Sequence, residues 1–296
     1  MFNRILVPLD GSKLAESALP YAEELAGAFN SEIALLFVCD TPRCKYRYEH
    51  QVYVDKMAEL TRNNLEGERP KTSVKPVVVE GHPATEISDY ADQNDISLIV
   101  MATHGRTGIM SWAMGSIANK VLDRVRIPIL LIRGVSGAEE AGQMMCFGRI
   151  MLPLDGSEAG EAALPYVIEI ANKLYPEIIL LQVVAPGQHV HTVGGLDYVR
   201  FTEQQVASMT ADAKDCLGQV GNKLTRIKAT VRPELKFGDP AEEIIKLAGE
   251  MGACMVAMST HGHSGIDRWT FGSVTHKVLH SGNTPLLLVR APGAKR

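Results

Sequence analysis

Apolar residues occur along this chain in two patterns. The first half carries five short, nearly unbroken apolar runs, at residues 4–8, 32–38, 75–79, 98–102 and 129–133. Runs of that length without alternation mark strands covered on both faces, because neither side is left for water. Between them apolar residues recur at helical spacing, as in Leu14, Ala18, Tyr21, Ala22 and Leu25. The spacing predicts helices over 13–29, 52–65, 83–94 and 115–124. Strands alternating with helices predict a doubly wound, five-stranded parallel sheet with helices on both faces, whose ligands bind beyond the carboxyl ends of the strands.

The whole pattern is written twice. "RILVPLDGS" at 4–12 returns as "RIMLPLDGS" at 149–157, and "ALPY" at 18–21 returns at 163–166, both at an offset of 145. "GHPATEI" from Gly81 then matches "GDPAEEI" from Gly238, and "IPILLIR" ending at Arg133 matches "TPLLLVR" ending at Arg290, at an offset of 157. The second half therefore carries a 12-residue insertion, placed in the glycine-containing stretch 186–198. Repetition on this scale predicts two domains of one fold, 1–133 and 148–296, joined by a linker over 134–147. Pro20 and Pro165 fall inside the first helix of their halves, where an interior proline is expected to kink it.

Composition narrows the function classes. A formal charge of -4 without a Lys/Arg block offers no footprint for nucleic acid or an anionic membrane. No apolar run has the length of a membrane span, and the N-terminus has no signal-peptide pattern, so a cytoplasmic protein is expected. Five cysteines, at 39, 44, 146, 216 and 254, form no C-x-x-C and fit a set of reduced, mostly buried thiols.

Candidate chemistry lies just past two strands. "ATHGRTGIMSWAMGS" at 102–116 and "STHGHSGIDRWTFGS" at 259–273 share length, an early Thr-His-Gly and a final Gly-Ser. Glycines allow close backbone approach, and helix N-termini present unpaired N–H groups to anions, so both stretches read as phosphate cradles. Gly-Ser is equally the start of an ordinary helix cap, and the Asp in "LDGS" equally a strand terminator, readings that duplication copies as faithfully as a binding site. His104 and His261 are expected to orient their loops.

These residues resemble the universal stress protein family in a tandem form, over 2–133 and 148–290. The ATP-binding branch of that family has a motif of glycine, two residues, glycine, nine residues, then glycine with serine or threonine. Gly105 followed by Gly115-Ser116, and Gly262 followed by Gly272-Ser273, match its second part, while Ala102 and Ser259 stand where its first glycine is expected. The family's adenine-contacting aspartate matches Asp10 and Asp155, and its valine at the end of the second strand matches Val38 and Val183. The resemblance implies a Rossmann-like fold of the adenine nucleotide alpha hydrolase type and a nucleotide site in each half. The first site comprises Pro8, Leu9, Asp10, Val38, Met101, Ala102, His104, Gly105, Arg106, Gly115, Ser116 and Ile117. The second comprises Pro153, Leu154, Asp155, Val183, Met258, Ser259, His261, Gly262, His263, Gly272, Ser273 and Val274. The implied cofactor is ATP, with or without magnesium. Arg106 adds a charge to the first site that His263 does not match at neutral pH.

Enzyme motifs are wanting. There is no Gly-Lys, hence no Walker A loop, and no Gly-x-Gly, hence no dinucleotide fingerprint. "GHSGI" at 262–266 lacks the last glycine of a nucleophile elbow, and the pairs His189/His191 and His261/His263 have no further ligand nearby to hold a metal. No catalytic residue and no metal ligand is expected. The reading is a stress-response sensor or regulator that binds adenine nucleotide. A nucleotide-free tandem interaction module and a weak ATP hydrolase are the alternatives. The halves are expected to pair as an internal pseudo-dimer through the strands ending at Arg133 and Arg290, with a homodimer and an unidentified protein partner left open.

Overall fold

The computed structural model describes residues 1–40, 47–66, 72–103, 114–133, 146–192, 195–261 and 271–291. The chain divides into two compact units, one formed by residues 1–146 with 285–290 and the other by residues 147–284 with Ala291.

In the first unit all five expected strands form: β1 (Arg4–Leu9), β2 (Glu32–Cys39), β3 (Val74–Glu80), β4 (Leu98–Ala102) and β5 (Ile129–Ile132). They pair in parallel in the order β3-β2-β1-β4-β5. Every residue of β4 and β5 is buried, which is what an unalternating apolar run requires. Strand order reverses between β1 and β4, so their carboxyl ends border a crevice.

The predicted first helix, 13–29, is corrected to two: α1 (Lys13–Glu16) and α2 (Leu19–Phe29). Pro20 lies in the first turn of α2 and kinks nothing. A proline lacks the N–H that an uninterrupted helix would use and its ring clashes with the carbonyl four residues back, but in a first turn neither matters. α3 (Arg47–Glu66) starts before the predicted residue 52; α4 (Pro83–Gln93) and α5 (Ser116–Arg124) follow prediction closely.

The second unit repeats the design. β6 (Arg149–Leu154), β7 (Glu177–Val184), β10 (Thr230–Phe237) and β11 (Met255–Ser259) are parallel in the order β10-β7-β6-β11. A single 3-10 turn at Gly160–Ala163 replaces α1, and α6 (Leu164–Leu174) carries Pro165 in its first turn, as α2 carries Pro20. α7 (Glu203–Leu224), α8 (Pro240–Glu250) and α9 (Ser273–Ser281) complete it. Most of the insertion is ordered as an antiparallel hairpin, β8 (Gly187–Thr192) with β9 (Gly195–Arg200). Phe147, the last residue of the expected linker, is as buried as Phe2, its counterpart at the 145-residue offset; linker residues 134–145 lie outside the described residues.

The last strand, β12 (Leu286–Val289), belongs to the first unit. It runs antiparallel to β5, with Leu286 opposite Leu131 and Leu288 opposite Ile129. β5 is thereby relieved of an open edge. Arg290 follows and donates from Nη2 to the carbonyls of Leu122 and Asp123, 3.1 Å each, at the end of α5. A cation there satisfies carbonyls that the helix leaves unpaired. Cys39 and Cys146 are buried thiols, Cys216 and Cys254 are partly exposed, and Cys44 lies outside the described residues. Among the described residues no helix is long and apolar enough to cross a membrane.

Candidate functional site

The two units have a cavity in corresponding places, over the carboxyl ends of the first, second and fourth strands. The first holds 320 Å³ and the second 480 Å³.

The Asp-Gly-Ser sequence after β1 and β6 folds into a closed turn. Asp10 Oδ1 accepts from Ser12 N at 2.9 Å and from Ser12 Oγ at 2.6 Å; Asp155 Oδ1 accepts from the same atoms of Ser157 at 3.0 and 2.6 Å. Gly11 (φ 85°) and Gly156 (φ 81°) occupy the left-handed region that the turn demands. The serine in turn accepts from the backbone of Ala15, 3.1 Å, or Gly160, 2.9 Å, and so caps the following turn. The capping reading of "LDGS" therefore falls on the serine. The aspartate anchors the serine with one oxygen and borders the cavity.

At the opposite wall stand α5 and α9. Their N-caps are Gly115 and Gly272, neither supplying a side-chain hydrogen bond to the helix. The caps are instead tied back to the strand loops, Gly115 N to Thr103 O at 2.8 Å and Gly272 N to Thr260 O at 2.9 Å. In α9 Thr275 Oγ1 also donates to Ser259 O at 2.9 Å. α1, α7 and α8 have capping side chains in Ser12, Thr202 and Asp239, while α2, α4 and α6 have none and carry a proline in the first turn. The contrast matters: α5 and α9 bring first-turn N–H groups to a cavity with no cap of their own, the arrangement that suits an anion. Gly-Ser thus does start each helix, as the capping reading expects: the glycine is the N-cap, through its backbone alone, and Ser116 or Ser273 is the first helical residue.

Around the first cavity stand the expected Pro8, Leu9, Asp10, Val38, Met101, Ala102, Gly115, Ser116 and Ile117. Around the second stand Pro153, Leu154, Asp155, Val183, Met258, Ser259, His261, Gly272, Ser273 and Val274. His104, Gly105, Arg106, Gly262 and His263 lie outside the described residues. Ser259 turns its hydroxyl inward to donate to the carbonyl of His261 at 2.6 Å, and His261 Nδ1 lies 3.1 Å from Thr260 Oγ1. Among the described residues no group of three or more His, Cys, Asp or Glu is placed to hold a metal ion.

Several lining residues escaped the sequence. In the first cavity Phe37 stacks on His50 of α3, ring centroids 4.3 Å apart at 20°. In the second, Gln182 of β7 and Met209 and Asp212 of α7 take part. Phe37 and Gln182 immediately precede the expected valines, which was a usable signal; the contributions of α3 and α7 depend on which helix face covers the sheet. α7 also bears Cys216, whose thiol is pushed up by burial and by the nearby carboxylates of Glu161 and Asp155.

The model of the universal stress protein family matches residues 1–133 and 147–290. The chain belongs to the universal stress protein family, in a form with two such domains. A universal stress protein of Bacillus subtilis is 30% identical over 150 residues, covering 45% of this chain and all of that protein. One from Mycolicibacterium smegmatis is 20% identical over 307 residues, covering 97% of this chain and 96% of its own. Among solved structures, a universal stress protein from Archaeoglobus fulgidus superposes with a TM-score of 0.70 at 19% identity, over 98% of this chain and 99% of its own.

Proposed function

We propose that this protein binds adenine nucleotide, ATP, in both cavities and acts as a cytoplasmic sensor or regulator in the stress response, not as an enzyme. The observation that carries the reading is the recurrence, in two units, of one cavity with an uncapped helix N-terminus on one side and an apolar strand end on the other. Triphosphate suits the first, through backbone N–H groups and the helix dipole, which contributes up to about 2 kcal/mol in good geometry. A purine suits the second, against Val38 or Val183, with Asp10 or Asp155 bordering the space between.

The absence of catalysis in this reading rests on the state of the aspartates. Each has Oδ1 engaged by two donors of its serine, which favours a fixed hydrogen-bonding role over proton transfer. Magnesium, if it accompanies ATP, would be held mainly by the phosphates, because among the described residues each cavity is lined by two carboxylates, Asp10 and Asp40 or Asp155 and Asp212, and no cluster of three possible ligands forms. β12, from the second repeat, pairs with β5, from the first, within the first unit, which is the strand pairing expected from the sequence. Mass spectrometry of small molecules released from the purified protein, with calorimetric titration by ATP, tests the reading; no ATP binding at millimolar concentration would leave the interaction module as the better account.

A further inference from the structure

Phe37 and Gln182 hold the same place in the two units. Phe37 lies opposite Leu9 in the β1–β2 ladder, and Gln182 opposite Leu154 in the β6–β7 ladder, at the 145-residue offset of the repeat. Their surroundings differ. Phe37 is 3% exposed and covered by the His50 ring. Gln182 lines the larger cavity, and its Oε1 is buried with no hydrogen-bond partner among the described residues. A carboxamide oxygen withdrawn from water without a donor costs about 1–3 kcal/mol. β7 supplies it from a central strand, between β6 and β10.

We infer that Gln182 is a base-reading residue of the second cavity, accepting a hydrogen bond from an exocyclic amine on the ligand's ring, and that the first cavity has no equivalent. The inference rests on the nucleotide reading above. Gln182 lies on β7, two strands from β11 and the α9 N-terminus, a lateral separation of roughly 10 Å at the usual strand spacing. That is the span between the base and the phosphates of one nucleotide. The wall beside it, Val183, Val184 and Ile244, is apolar and suits a flat ring. An acceptor buried among apolar groups discriminates sharply, since a ring without the donor leaves it unpaired. Phe37, filling the same position with an aromatic stack, offers only contact, and the smaller volume of the first cavity fits that filling.

The test titrates the full chain with ATP and with purine riboside 5′-triphosphate, which keeps the phosphates and lacks the exocyclic amine. The wild type is expected to contain one class of site that prefers ATP by roughly tenfold. Gln182→Leu should abolish that preference while its affinity for purine riboside triphosphate stays within about twofold of wild type. Gln182→Met is the second variant, and thermal unfolding reports whether each is folded. An unchanged preference in a folded variant, or an equal loss of affinity for both ligands, overturns the role of Gln182 and leaves nucleotide binding standing. Absence of binding by the wild type to either ligand overturns the nucleotide reading, and this inference with it.

Discussion

Gly160 passes so close to Asp155 that a Cβ built on it would collide with the carboxylate oxygen Oδ1. The residue at the same place in the first half is Ala15, and the backbone bond is the same in both, Ala15 N to Ser12 Oγ and Gly160 N to Ser157 Oγ. One Cβ is thus tolerated beside Asp10 and excluded beside Asp155. The two aspartate turns match in sequence and hydrogen bonding, yet the second seats its carboxylate over a glycine.

Gly160→Ala is therefore expected to displace Asp155 from Ser157 and to lower stability by roughly 1–3 kcal/mol, the usual range for overpacking. Ala15→Gly should cost roughly 1–2 kcal/mol, since conformational freedom is added and a buried methyl is lost. Urea unfolding of the two variants checks the difference. Nucleotide affinity should fall at the second cavity for Gly160→Ala and stay unchanged at the first.

Gly272 offers the opposite case. A Cβ there would meet nothing nearer than the Thr260 carbonyl oxygen at 3.7 Å, and its backbone, φ -55° and ψ 150°, is open to any residue. Gly272→Ala should leave the protein folded, at a cost under about 1 kcal/mol for a poorer N-cap. If phosphate approaches the backbone at this point, the same substitution weakens ATP binding at the second cavity several-fold. Calorimetry paired with thermal unfolding separates the two effects, and unchanged affinity would return the stretch 259–273 to an ordinary turn.

Turnover is expected to be slow. Purified protein with Mg-ATP should release phosphate no faster than about once per minute, against roughly 1–100 per second for kinases. Rapid release that Asp10→Asn or Asp155→Asn abolishes would establish a hydrolase in place of a binding protein.

Glu23, on the flank of α2, responds to pH. Burial holds its carboxyl above the ordinary value of 4.5, outweighing a hydrogen bond from Asn64 Nδ2 at 3.1 Å. The folded state then binds this proton more tightly than the unfolded chain does. The contribution of Glu23 to stability is present in full below pH 4.5 and is lost as pH rises through the raised folded value. Glu23→Gln removes that loss, so the variant should gain on wild type between pH 4 and 7 in denaturant titrations at a series of pH values.

Most of the architecture was legible in the chain because burial on both faces leaves a one-dimensional trace. β4 and β5 read as strands since all their residues are apolar, and the double printing of "PLDGS" and of the Gly-Ser helix starts marks the walls of two equivalent cavities. Local chemistry was legible for the same reason: an aspartate, a glycine in the left-handed region and a serine three positions from the next turn close on themselves within a few residues. The break between α1 and α2 was misread, because a proline has one meaning inside a helix and another in its first turn, and periodicity alone does not distinguish them.

What tertiary structure decided is everything that depends on a partner distant in sequence. The register that sets Gln182 against Leu154 and Phe37 against Leu9, the stacking of His50 on Phe37, and the arrival of α7 over the second cavity all come from helix-on-sheet packing, whose face and depth no local pattern specifies. The last strand is the extreme instance. β12 carries the sequence of the second repeat but lies within the first unit on β5, because an apolar edge is buried best by another apolar strand, whichever half supplies it.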